Sequence, residues 1–86
     1  MMTDRQKGAT GMPLHGRKEG DRLRIVSISS SRGIRRQLAQ MGIQVGDMVQ
    51  VKRCVPFGGP MLIETRGTSI ALSKEYSERI KVEPVE

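Results

Sequence analysis

The chain has 86 residues, with 15 Lys and Arg against nine Asp and Glu and a net charge of +6, which leaves room for one domain burying about 60–65% of its unfolded surface. Two aromatic residues, Phe57 and Tyr76, and no Trp leave core packing to Ile, Val, Leu and Met. A single cysteine, Cys54, excludes an internal disulfide, and no leader or long apolar run marks export or membrane insertion, so the expected compartment is the cytoplasm.

A basic chain directs attention to nucleic acid and acidic membranes. Residues 1–18 hold four basic and one acidic side chain and residues 19–86 hold eleven and eight, so the excess is +3 in each part and the body is only mildly basic. The first stretch mixes Thr, Asp, Gln, Gly, Ala and Pro without an apolar period. It reads as a flexible tail over 1–18, ahead of a folded domain over 19–86.

From Gly20-Asp21 a turn leads into Leu23 and Ile25, the alternation of a half-buried strand. Val26 and Ile28 continue in the opposite phase, which predicts a β-bulge bending the strand round a barrel corner. The same opening recurs at Gly46-Asp47, with Val49 and Val51 following, so one turn is used twice. Between the copies, Ile34, Leu38 and Met41 share one helical stripe. Ser31 is a candidate N-cap, and Gly42 with Ile43 has the order of a Schellman ending.

Met48 to Val55 and Met61 to Arg66 read as strands joined by Pro56-Phe57-Gly58-Gly59-Pro60, whose prolines and glycines stop both. Gly67-Thr68 turns the chain into Ile70-Ala71-Leu72, Ser73 can cap one helical turn, and Ile80-Lys81-Val82 is the last strand. The fold class is mainly β: a small barrel of about five strands with one short α-helix between the first two.

The run Arg35-Arg36-Gln37-Leu38-Ala39-Gln40-Met41-Gly42-Ile43-Gln44-Val45-Gly46-Asp47, with Val55-Pro56, Gly59-Pro60, Arg66-Gly67 and Ile80-Lys81-Val82 after it, resembles the FeoA family over roughly Gly20 to Glu83. Leu38 to Ile43 is the most specific part. The resemblance implies an SH3-like barrel in the cytoplasm that assists FeoB, a ferrous-iron permease with a cytoplasmic GTPase domain, and modulates its assembly or its GTPase and transport activity. Similar domains also end iron-dependent repressors, so the fold alone does not fix the role.

No metal site or cofactor is expected, since His15 and Cys54 are the only strong N or S donors and stand apart in sequence. Cys54 is in phase with Gln50 and Lys52 and is predicted to point away from the core as a plain strand residue. Without paired carboxylates, a Ser/His/Asp set or a phosphate loop, the chain is not expected to be an enzyme.

Arg32, Arg35 and Arg36 share a helix face near its N-terminus, where positive charge opposes the macrodipole. A solvated face is one reading of them. The other is an anion site for a partner's carboxylate or phosphate, including an arginine offered in trans to a GTPase. Phe57, carried with Gly58 and Gly59 on an exposed loop, either docks into a partner or folds back over a barrel end. Open strand edges allow self-association. The competing reading is a basic small barrel that binds nucleic acid or acts in iron-dependent transcription regulation, against which stand the few aromatics and the mild body charge.

Overall fold

The structure is a computed structural model that describes residues 11–28 and 32–85. Eight elements follow in order: β1 (Met12–Pro13), β2 (Arg22–Ile28), α1 (Arg32–Gln40), β3 (Met48–Cys54), β4 (Met61–Thr65), β5 (Thr68–Leu72), α2 (Lys74–Ser77) and β6 (Ile80–Pro84). The strands form one sheet in the order β1-β6-β2-β3-β4-β5, antiparallel at every pairing. Leu23 and Ile25, Val49 and Val51, Met61 and Ile63, Leu72, Ile80 and Val82 all enter one core. Side chains from one end of the sheet to the other meet there, so the sheet curls round its own apolar face.

Two bulges produce the curl. The β2–β6 register slips between Ile25 and Ser27, which leaves Val26 unmatched at the predicted place. The β3–β4 register slips between Val51 and Arg53, which leaves Lys52 unmatched. An extra residue on one strand increases local twist and lets a strand serve two sheet directions.

The twin Gly-Asp turns are alike in their bonds. Gly20 and Gly46 take φ of 95° and 97°, a region that costs glycine little. Asp21 accepts the Lys18 N–H at 2.9 Å, and Asp47 accepts the Gln44 N–H at the same distance. Each turn is then fastened to the other's strand: Gly20 N–H donates to the Val51 carbonyl and Val51 N–H to that of Asp21, while Gly46 N–H donates to Ile25 and Ile25 N–H to Asp47. The β2–β3 pair is therefore a local two-fold centred on Leu23 and Val49.

Helix α1 ends as its sequence predicts. Gly42 stands at φ 92°, its N–H donates to the Ala39 carbonyl, and the Ile43 N–H reaches back to Leu38 at 2.9 Å, the two bonds of a Schellman motif. Leu38 and Ile43 are both in the core, with Ile34 and Met41 packed against it. The proposed cap Ser31 lies outside the described residues.

Its elements depart from the sequence reading at several points. Residues 12–18 are part of the domain: Met12 pairs with Val82 and Pro13 with Lys81, and Leu14 is fully buried and donates its N–H to the Ile80 carbonyl. The sheet thus has six strands, and α1 lies between the second and third. Residues 1–10 of the expected tail lie outside the described residues. The β4–β5 turn is Arg66-Gly67, both at positive φ, the two-residue type I′ geometry that matches strand twist. Ser73 sits at the start of α2 but makes no side-chain cap bond.

Candidate partner-docking surface

The loop after β3 is built by its own sequence. Val55 N–H donates to the Pro60 carbonyl at 3.1 Å and Gly59 N–H to that of Pro56 at 3.4 Å, which closes a tight turn with Phe57 and Gly58 at its centre. Their φ values are 62° and 79°. Left-handed backbone costs a non-glycine residue about 1–2 kcal/mol, so Phe57 is held there by the turn. A Cβ on Gly59 would stand 2.5 Å from Val55 Cγ1, so only glycine lets the loop fold onto Val55. The Phe57 side chain is fully exposed, at 102%, and of the two readings of it the fold-back over a barrel end is overturned.

Beside Phe57 runs a groove of about 390 Å³ between segment 15–19 and residues 54–61. Its walls include the exposed Val55, Pro56 and Pro60, with the buried Met61 below. His15, Arg17, Lys18 and Glu19 form the opposite wall.

Cys54 joins the two walls. Its N–H donates to Glu19 Oε2 at 3.2 Å and its thiol to the Arg17 carbonyl at 3.3 Å. Burial pushes the thiol's pKa up, and the negative charges of Glu19 and Asp21 push the same way, so the neutral S–H is favoured and the sulfur is a structural donor. The expectation that Cys54 points away from the core is corrected. The unmatched Lys52 reverses the phase, sets Cys54 opposite the buried Met61, and packs it against the core.

The predicted site residues do not form one site. Gly58 and Gly59 line the groove with Phe57. Arg32, Arg35 and Arg36 are exposed on α1 and none lines this groove. No acidic residue stands in the first turn of α1 to offset their unfavourable placement against the helix dipole. The 15–19 wall was missed because its anchor, Leu14, is an isolated apolar residue with no periodic neighbours. Among the described residues no three of His, Cys, Asp and Glu are grouped to hold a metal, and no helix is long and apolar enough to cross a membrane.

The FeoA domain family model matches residues 12–84. The chain belongs to the FeoA family. A protein of Methanocaldococcus jannaschii that carries the name Fe(2+) transport protein A is 34% identical over 74 residues, covering 86% of this chain and 88% of that one. The crystal structure of an iron uptake regulatory protein, FeoA, superposes with a TM-score of 0.81 at 29% identity, over 88% of this chain and all of the other. A manganese-dependent transcriptional repressor in complex with manganese superposes with a TM-score of 0.82 at 21% identity over 87% of this chain, as 37% of its own. That last likeness is one of fold. The curled six-stranded sheet is the SH3-like barrel of FeoA proteins, and the family match begins at Met12, the first residue of β1.

Proposed function

We propose that this FeoA-family chain is a cytoplasmic accessory protein of ferrous-iron uptake. It docks on the cytoplasmic part of the FeoB permease and modulates that protein's assembly or its GTPase and transport activity, without being an enzyme itself. The observation that carries the docking is Phe57, a fully exposed aromatic side chain held at positive φ by a hydrogen-bonded loop beside an apolar groove. Aromatic anchors of this kind contribute a large share of binding energy in protein interfaces. Family membership supports the iron-transport context, and the arginines of α1 supply a second, cationic surface for acidic groups of the same partner.

The test is a titration of isotope-labelled protein with the GTPase domain of the same organism's FeoB, with duplex DNA in parallel. Amide shifts are expected at Val55, Phe57, Gly58 and Gly59 and over 15–19, with DNA giving none. Phe57→Ala should weaken the affinity at least about tenfold with an unchanged melting temperature, and Arg35→Gln with Arg36→Gln should weaken it less. Shifts confined to α1, or an unaffected Phe57→Ala affinity, would remove the Phe57 loop from the interface. A response to DNA alone would transfer the chain to the nucleic-acid reading.

A further inference from the structure

A second concavity, of about 240 Å³, lies at the starts of β2 and β3 against the β4–β5 turn, and is lined by Arg22, Met48, Gln50, Glu64, Arg66 and Gly67. Two arginines line it from different turns, Arg22 from the first Gly-Asp turn and Arg66 from the type I′ turn. Arg66 is pre-oriented: its Nη2 donates to Asp47 Oδ1 at 2.7 Å, while Asp47 Oδ2 accepts the Gln44 N–H. The Arg66 side chain is nonetheless 65% exposed, which leaves other N–H groups of its fork open to solvent. The Arg22 side chain is exposed and has no hydrogen bond or ion pair among the described residues.

The carboxylates nearby are already matched. Glu64 is paired with Lys52 at 3.4 Å and Asp47 with Arg66, so neither carboxylate is ion-paired with Arg22. The planar arginine fork suits two oxygens of one oxyanion better than a point charge does, and the small volume suits a single such group.

We propose that this concavity is an oxyanion-binding site, taking one carboxylate or phosphate group between the forks of Arg22 and Arg66. Arg66 supplies the fixed side of the clamp and Arg22 the free side. The site shares no residue with the Phe57 groove, so it stands or falls independently of the docking described above.

Labelled full-length protein is titrated with sodium phosphate in one arm and sodium acetate in the other, at constant pH and with sodium chloride exchanged to hold ionic strength. Saturable amide shifts at Arg22, Gln50 and Gly67 are expected in at least one arm. Arg22→Gln should weaken that binding at least about tenfold, and Arg22→Lys should weaken it less because it keeps the charge and loses the fork. Saturation by phosphate alone points to a phosphorylated source, by acetate to a carboxylate source, and by both to either. Linear drift in both arms, saturation centred on Arg32, Arg35 and Arg36, or unchanged affinity in Arg22→Gln overturns the assignment. Arg22 is exposed, so its replacement leaves the fold intact, and the dispersion of the variant's amide spectrum checks this.

Discussion

At Phe57 an aromatic ring that would contribute about 2–3 kcal/mol if buried stands wholly in water, on a backbone angle that aromatic residues disfavour. Its apolar neighbour Cys54 has the opposite fate, half-buried with its thiol turned to the Arg17 carbonyl. Burial first, then Glu19 and Asp21, raises the Cys54 pKa, so the folded state holds this proton to higher pH than the unfolded chain does. Stability linked to the thiol is therefore fully present below the ordinary thiol pKa and is lost as pH rises through the raised folded value. Alkylation by iodoacetamide near neutral pH should run slower than for a free cysteine peptide, and Glu19→Gln should shift the rate–pH profile towards lower pH. An equal rate and an unmoved profile would show that the thiol is not restrained in this way.

Among the elements, β1 and the twin turns carry the sharpest consequences. Leu14→Ala removes a fully buried side chain and should cost about 2–5 kcal/mol in denaturant unfolding; a loss below about 1 kcal/mol would mean that segment 12–18 is dispensable to the core. The turns form an internal comparison, since they share backbone bonds and differ in surroundings. Asp47 is 7% exposed and also holds Arg66, whereas Asp21 is half-buried and holds only the Lys18 N–H. Asp47→Ala should cost about 2–3 kcal/mol and Asp21→Ala about 1, and equal losses would make the Arg66 bond irrelevant to stability.

These elements also show what a sequence can convey. The Gly-Asp turns, the Schellman end of α1 and the bulge at Val26 were legible because each is a local pattern with its own chemistry. Strand β1 was not, because a two-residue strand has no period and is defined by its distant partner, Val82. Cys54 was misplaced because nothing in Gln50-Val51-Lys52-Arg53 announces that one residue will be left unmatched. The candidate surfaces divide along the same line: the exposed loop of Phe57 and its glycines was visible in the composition, while the 15–19 wall and the Arg22–Arg66 concavity arise only when separate turns meet.

Over the whole molecule, the crossed bonds between the twin turns tie β2 to β3 in the middle of the sheet, while β5 closes the sheet at one side with its Ser69 and Ala71 amides facing away from β4. Amide exchange should follow that arrangement. Ile25 and Val51, each donating into the opposite turn, should exchange only with global unfolding, and Ser69 and Ala71 should exchange orders of magnitude faster. Comparable protection at Ser69 would show that the β5 edge is covered in solution by another strand, as in self-association.

The pairing of Met12 with Val82 has one more implication. The backbone enters and leaves the barrel on adjacent strands, about one strand spacing apart, so the molecule is nearly a closed ring of chain. A short linker joining those points would allow the ring to be opened at another turn. Opened at Arg66-Gly67, such a circular permutant would keep the Phe57 loop intact; opened between Phe57 and Gly58, it would keep the barrel and release the loop, so two molecules of the same composition would separate the order of the fold from the proposed docking.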